Sequence, residues 1–228
     1  MSRAQKELSK RLGYVFRDAA LLARALTHRS HSSQNYERLE FLGDSILSFT
    51  IADALYDRFE QLSEGELTRL RATLVRRETL AKLARELNLG DCLELGSGEL
   101  KSGGFDRDSI LADTLEAVFG AVYKDSDFEA VRSVVLQLYR LLLDNLDPHS
   151  IQKDPKTRLQ EFLQRQSLAT PTYNVLEISG EAHLQHFVVE CRVPGLAEAV
   201  RGEGNSRRYA EQAAAVLACE KLNCAADD

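Results

Sequence analysis

Residues 37–45 of this 228-residue chain read Glu-Arg-Leu-Glu-Phe-Leu-Gly-Asp-Ser, and they are the most informative stretch of the sequence. In this stretch and just after it, apolar residues recur at spacings of three and four: Leu39, Leu42, Ile46 and Phe49. This period predicts an amphipathic α-helix. On that helix Glu37, Glu40 and Asp44 stand at i, i+3 and i+7 and therefore share one face. Three like charges on one face repel one another, so the arrangement destabilises the helix unless a cation neutralises it.

A second pair of carboxylates lies far downstream, in the otherwise apolar segment 110–117. Asp113 and Glu116 are again three residues apart on a predicted helix. If the two helices pack with these faces together, they gather four or five carboxylates into one oxygen-rich site. Hard cations such as Mg²⁺ prefer oxygen ligands, and no His or Cys cluster competes in the sequence. Solvated helix faces are the alternative, but the strongly apolar neighbours favour a metal site.

A glycine interrupts the first of these helices. Gly43 in a helix interior costs about 1 kcal/mol relative to alanine, which indicates close approach by another element.

The pattern along the chain divides it into two parts. From Ser9 to about Asp144 the apolar period is helical, and turn-forming residues follow. Beyond them the sequence predicts a helix capped by Asp154, three short strands, and a last helix capped by Ser206. The strands are expected at residues 172–178, 187–193 and 198–201, the first with Tyr173, Val175 and Ile178 towards the core. We therefore expect a mainly α plus α+β chain, with an all-α domain (1–146), a linker (147–153) and a small α-β-β-β-α domain (154–226).

The charge balance restricts how such a chain could bind a nucleic acid. The net charge is −6. Residues 1–153 hold 21 Lys and Arg against 24 Asp and Glu, and residues 154–226 hold 8 against 9. Neither part is basic, so any contact with a polyanion must come from local clusters.

Several features indicate a cytoplasmic protein. No stretch reaches the roughly 20 apolar residues of a membrane span, and residues 1–11 are charged and lack the apolar core of a secretory signal. The four cysteines show no metal-ligand spacing, and we expect them to be small buried residues kept reduced.

With these residues in place, the chain is identified as a member of the ribonuclease III family. Residues 37–45 resemble the nine-residue signature of that family, and residues 109–116 are similar to its second catalytic segment. The resemblance extends through the chain and includes residues 67–76 and 96–105. Signatures of this length are far more specific than a lone short motif.

The resemblance implies the roles of the acidic residues. The family's essential metal-site carboxylates correspond to Glu40, Asp44, Asp113 and Glu116. Among them Asp44 and Glu116 would matter most for catalysis. Glu37 and Glu64 match auxiliary acidic positions, although plain exposed acids explain them equally well.

The resemblance also implies an activity. It is the Mg²⁺-dependent hydrolysis of double-stranded RNA to 5′-phosphate and 3′-hydroxyl ends, in processing of ribosomal RNA precursors and other structured RNAs. We expect Mn²⁺ to replace Mg²⁺, and we expect no organic cofactor and no membrane partner. Nothing orders Ser30, Ser45 and His28 as a catalytic triad, and His28 and His31 are predicted to be structural or surface residues.

The resemblance also implies that the chain forms a homodimer. Phe41 and Leu42 resemble positions of the family's dimer contact. From the sequence alone, ordinary core packing is the interpretation we slightly favour for these two residues.

The second domain resembles a double-stranded RNA-binding domain, a module that spans about 16 base pairs. Its predicted RNA contacts lie in the first helix, in the turn at residues 180–183 and at the start of the last helix: Thr157, Gln160, Glu161, His183, Ser206, Arg207 and Arg208. Free amides and the helix dipole at the last of these favour phosphate. Glu211 stands where the third basic residue of such domains is usual, and we expect it to weaken the phosphate contact.

Two alternative functions remain. One is a catalytically silent double-stranded RNA-binding protein of the same fold, which would have no need to keep four mutually repelling acids. The other is a metal-dependent hydrolase of small phosphoesters, which would have no need of the second domain.

Overall fold

A computed structural model describes residues 2–148, 154–181 and 185–224 of the chain. The chain forms two compact units, Met1–Pro148 and His149–Asp228. Within the described residues, each helix is too short or too polar to cross a membrane. The predicted RNA contact His183 lies outside these residues.

Within residues 2–148 the chain is helical, as the apolar period predicts. The α-helices are α1 (Arg3–Leu12), α2 (Ala19–Ala25), α3 (Glu37–Arg58), α4 (Glu64–Val75), α5 (Arg77–Glu86), α6 (Ser97–Lys101), α7 (Asp108–Asp125) and α8 (Phe128–Asp144). Two short 3₁₀ turns, Leu89–Cys92 and Gly104–Asp106, connect them. Side chains cap several helix starts. In α1, for example, the Ser2 hydroxyl accepts from the Gln5 amide while the Gln5 side chain accepts from the Ser2 amide.

Helix α7 is the centre of this unit. Almost all of its residues between Ile110 and Val122 are buried, and α3 is its most extensive partner. An amphipathic helix of ordinary composition would expose one face to water, whereas α7 packs against α2, α3, α5 and α8. Asp113 and Glu116, the two acidic residues in this stretch, are therefore set among buried apolar residues.

Two glycines bring α3 and α7 into direct backbone contact. A Cβ atom on Gly43 would lie 1.7 Å from the carbonyl oxygen of Glu116, and one on Gly120 would lie 2.2 Å from the carbonyl oxygen of Leu39. Any other residue at either position would force the helices apart. The close approach that the sequence predicts at Gly43 is thus present, and its partner is the second acidic helix.

The second unit is a three-stranded sheet with helices packed on one face. Helix α9 (Pro155–Arg165) precedes strands β1 (Thr172–Ser179), β2 (His186–Arg192) and β3 (Val200–Gly204), and helix α10 (Arg207–Lys221) follows. The sheet is antiparallel in the order β1-β2-β3. Its core joins the helices to the inner face of the sheet and includes Leu159, Leu163, Cys191, Val200, Ala214 and Ala218. The predicted fold class is confirmed.

Glycine and alanine set the distance between β3 and α10. A Cβ atom on Gly202 would lie 2.1 Å from the amide nitrogen of Ala214. The small residues of α10 therefore let the helix rest directly on the strand.

Apart from differences of one residue at the ends of β1 and β2, two details of this unit differ from the sequence prediction. The third strand is Val200–Gly204 and not residues 198–201, because pairing with β2 begins only where Val200 faces Cys191. Ile178 is exposed although its spacing predicted burial. A bulge between Val175 and Glu177 breaks the alternation of β1, which is also an edge strand.

The four cysteines are free and buried, as expected for small apolar side chains.

Replacing Gly120 with alanine should lower the free energy of unfolding by about 1–3 kcal/mol, because the new methyl group would overlap the Leu39 carbonyl. The higher helix propensity of alanine, worth about 1 kcal/mol, only partly offsets this. Urea unfolding followed by circular dichroism measures the difference. Gly98→Ala in α6 is the control, because a Cβ atom there meets nothing within 4 Å. Equal stability of the two variants would contradict the packing argument.

Candidate functional site

The crossing of α3 and α7 brings three of the predicted metal ligands together. Carboxylate oxygens of Glu40, Asp113 and Glu116 all lie within 4.8 Å of one another, and each of these residues is partly buried. Glu40 comes from α3, and the other two come from one face of α7. The fourth predicted ligand, Asp44, is exposed one turn further along α3 and is not in this group of three.

Burial and mutual repulsion make these carboxyl groups hold protons unusually well. Burial raises the pKa of Glu116 to about 8, and repulsion from Asp44 is the largest contribution from a neighbouring charge. Burial likewise raises the pKa of Glu40 to about 7, followed by repulsion from Asp113 and Glu37. Because Asp44 is the neighbouring charge that contributes most to this shift, it belongs to the same electrostatic site.

Nearby cations do not cancel this effect. Burial raises the pKa of Asp113 above its ordinary value, although Arg77, His28 and Arg29 act to lower it. A divalent cation would relieve the repulsion among such partly buried carboxylates more than water or a single lysine could. The donor set is entirely oxygen, which suits Mg²⁺ or Mn²⁺.

A cavity of about 390 Å³ opens onto two of these carboxylates, Glu40 and Asp113. The rest of its wall comes mainly from the loops before α3 and α7 and includes Arg29, Tyr36 and Arg107. The sequence reasoning missed these three residues, because loop positions have no periodicity that would mark them. The cavity gives a ligand access to the carboxylates.

His28 has a structural role, as predicted, and Ser30 is its hydrogen-bond partner. His28 is buried, its Nδ1 lies 2.7 Å from the Ser30 hydroxyl, and that hydroxyl accepts a hydrogen bond from the Gly96 amide at 2.9 Å. This network ties two loops together beside the cavity. His31 is on the surface, 3.9 Å from Glu94.

The two auxiliary acids have different surroundings. Glu37 lines the cavity and lies 3.5 Å from Arg29. Glu64 is exposed in the first turn of α4, where its carboxylate accepts a hydrogen bond from the Thr68 hydroxyl at 3.0 Å. Within the part of the chain that the structure describes, Glu64 is not in the carboxylate group.

Helix α3 exposes a row of aromatic side chains on its outer side. Phe41, Phe49 and Tyr56 are 78%, 58% and 72% exposed, and we call them the aromatic face. Core packing, the interpretation favoured from sequence for Phe41, is therefore wrong, and Phe49 does not belong to the buried stripe either. The reason is that α3 already buries its opposite side against α7, which leaves these rings outside.

In the second unit, the described RNA-contact candidates lie near the starts of the two helices. Thr157 and Gln160 are exposed on α9, and Glu161 beside them is partly buried. The Ser206 hydroxyl caps α10 by accepting from the Tyr209 amide at 3.3 Å, and Arg207 and Arg208 follow it on the surface.

Comparisons with known proteins agree with both units. Residues 18–142 match the family model described as ribonuclease-III-like, and residues 155–222 match the double-stranded RNA binding motif. Ribonuclease 3 of Vibrio parahaemolyticus and Ribonuclease 3 of Vibrio campbellii are each 61% identical over 216 residues, which cover 95% of this chain and 96% of the relative.

Two solved structures each match a part of the chain that is about as long as the first unit. The nuclease domain of ribonuclease III from Campylobacter jejuni is 42% identical with a TM-score of 0.59, and the match covers 60% of this chain and 96% of that one. A second structure of that domain, from the same organism, is 40% identical with a TM-score of 0.60 over 62% of this chain and 97% of that one. From the family match, the identity and the coverage, we conclude that the chain belongs to the ribonuclease III family.

Proposed function

We propose that this chain is a Mg²⁺-dependent endonuclease that hydrolyses double-stranded RNA and leaves 5′-phosphate and 3′-hydroxyl ends. The observation that carries the proposal is the group formed by Glu40, Asp113 and Glu116 at the crossing of α3 and α7. A metal-binding carboxylate site and a double-stranded RNA binding motif in one chain suit a nuclease better than a hydrolase of small phosphoesters.

The three clustered carboxylates would hold the cation, with Asp44 beside them. Bound Mg²⁺ would neutralise phosphate charge and lower the pKa of a coordinated water that serves as the nucleophile. The packing of α3 against α7 holds these carboxyl groups close together and partly buried. In the absence of a cation, protons on Glu40 and Glu116 relieve the repulsion.

The second unit would hold the duplex by its shape. Polar side chains on α9 suit the wide minor groove of A-form RNA, where 2′-hydroxyls are displayed. The α10 N-terminus, with Arg207 and Arg208, suits phosphate. Such a local arrangement explains how a chain of net charge −6 could bind a polyanion.

The active assembly would be a homodimer joined through the aromatic face. The nuclease domain of ribonuclease III from Campylobacter jejuni is described as having structural flexibility in a region involved in dimer formation. Exposed rings of this size on one helix are rare on a monomer surface and frequent in interfaces. We further propose that the protein acts in the cytoplasm on ribosomal precursors and other structured RNAs, which suits its four free cysteines.

Glu116→Gln should reduce cleavage of a long RNA duplex about 100-fold or more, because it removes one of the charges that hold the cation. The assay compares the variant with the parent, with and without Mg²⁺, and includes a single-stranded RNA of the same sequence. Glu86→Gln, an exposed acid at the end of α5, is the matched control. A parent that binds duplex but never cuts it would favour the silent RNA-binding alternative.

Mg²⁺ should stabilise the protein more at pH 8 than at pH 6. The pKa values of Glu40 and Glu116, about 7 and about 8, lie above the ordinary value of 4.5. The metal-free native state therefore binds protons that the unfolded state does not. Its stability falls as pH rises from 4.5 through 8, and the cation offsets that loss.

Thermal melts at the two pH values, with and without Mg²⁺, measure this effect. In Glu116→Gln the rise in melting temperature caused by Mg²⁺ should differ less between pH 6 and pH 8. An equal rise in melting temperature at pH 6 and pH 8 would count against the site.

Phe49→Glu should dissociate the dimer, because it places a charge within the aromatic face. Truncation of a central aromatic contact typically costs about 2 kcal/mol or more of binding energy, which raises the dimer dissociation constant more than tenfold. Light scattering over a range of concentrations measures the mass. Val15→Glu is the control, because Val15 is also an exposed apolar residue, 82% exposed, but lies outside α3. If both variants remain dimeric, another surface forms the contact.

A further inference from the structure

Glu211 occupies an unexpected environment in the RNA-binding unit. Its position in the sequence suggested an acidic side chain in the phosphate-binding surface. Its side chain is instead only 11% exposed and lies between two cations. Lys156 Nζ donates to Oε2 at 2.5 Å, and Arg207 Nε donates to Oε1 at 2.8 Å.

The two cations keep this carboxylate ionised. Burial alone would raise the pKa of Glu211, but hydrogen bonds and attraction from Lys156 and Arg207 outweigh it, and the pKa falls below its ordinary value. The trio therefore carries a net charge of +1. A phosphate approaching α10 would meet a neutralised acid and not a free one.

Glu211 also connects the starts of the two helices. Lys156 belongs to the first turn of α9, whereas Glu211 belongs to α10. The next residue, Gln212, donates to Asp154 Oδ2 at 2.7 Å, and Asp154 in turn caps α9 through the Lys156 amide. Two successive residues of α10 thus hold the first turn of α9.

Each partner of Glu211 has a constrained position. The ammonium of Lys156 lies 4.6 Å from the centre of the Tyr173 ring on β1, a favourable cation–π distance. Arg207 donates its Nε–H to Glu211. Its side chain is 64% exposed, and the guanidinium has further N–H groups that can donate to a phosphate. A guanidinium oriented in advance loses less freedom when it binds.

We propose that Glu211 is a positioning residue for duplex RNA: its negative charge fixes Arg207 and the spacing between the α9 polar face and the α10 N-terminus. This inference rests on the proposed function, because it assumes that these two segments contact RNA. It reverses the expectation from simple charge counting. A lysine at this position would place a third cation against Lys156 and Arg207, and so would disturb the surface that it was meant to strengthen.

The first test measures duplex binding by the full chain in a Glu116→Gln background with Mg²⁺, so that binding is observed without cleavage. Glu211→Lys should weaken binding about tenfold, an effect on the order of one charge-assisted hydrogen bond, although it raises the net charge of the chain by two. Glu220→Lys is the matched control, since Glu220 is exposed near the other end of α10. Its affinity should stay the same or rise slightly. Binding by Glu211→Lys as tight as that of its parent would overturn the inference.

The second test separates positioning from mere stability. Arg207→Ala is measured alone and together with Glu211→Gln, and melting temperatures show that each variant is folded. If Glu211 orients Arg207, the loss of affinity caused by Arg207→Ala is smaller in the Glu211→Gln background. Equal losses in both backgrounds would show a purely structural role and refute the proposal. This cycle decides the question by itself where Glu211→Lys does not fold.

Arg208→Ala distinguishes this inference from the proposed function. Arg208 forms no part of the Glu211 trio, so its replacement tests only whether the α10 N-terminus contacts RNA. If the parent fails to bind duplex, or if Arg208→Ala binds as tightly as the parent, the proposed RNA surface is wrong. If Arg208→Ala weakens binding and the Glu211 variants do not, the surface stands and the role of Glu211 is refuted.

Discussion

The backbone contact between α3 and α7 is the constraint on which the first unit depends. Gly43 and Gly120 allow each helix to touch the main chain of the other, at Glu116 and Leu39. The acidic residues lie within a turn of these contacts, so the crossing distance also sets the distance between carboxylates. A methyl group at either glycine would therefore disturb the fold and separate Glu40 from Glu116. Stability and the geometry of the carboxylate group are therefore coupled through one feature, the crossing distance of the two helices.

The same crossing explains why the site is electrostatically unfavourable without a cation. Helix α7 is surrounded by other helices, so Asp113 and Glu116 are removed from much of the solvent that would otherwise screen them. Apolar packing along the two helices compensates for this local loss. Since the scaffold holds the carboxylates close together without a cation, a cation would bind there with little rearrangement of its ligands.

Spacing in the sequence was sufficient for part of this arrangement. The i, i+3 pairs predicted which carboxylates share a helix face, and Gly43 indicated a close helix contact. Spacing could not say that Asp44 would lie beside the group and not in it, since this depends on the crossing geometry. It also favoured core packing for Phe41 and Ile178, both of which are exposed. A heptad-like pattern cannot tell a core face from an interface, and a bulge shifts the alternation of a strand.

Acidic residues have opposite roles in the two units, and the charges that surround each acid determine its role. At the α3–α7 crossing, acids face one another and their pKa values rise, which favours the capture of a cation from solution. At Glu211 the acid faces two cations of the chain itself and its pKa falls. There the carboxylate orders positive side chains for a polyanion. Net charge therefore says little about nucleic-acid binding in this chain, because an acid between two bases can strengthen a phosphate site by fixing its geometry.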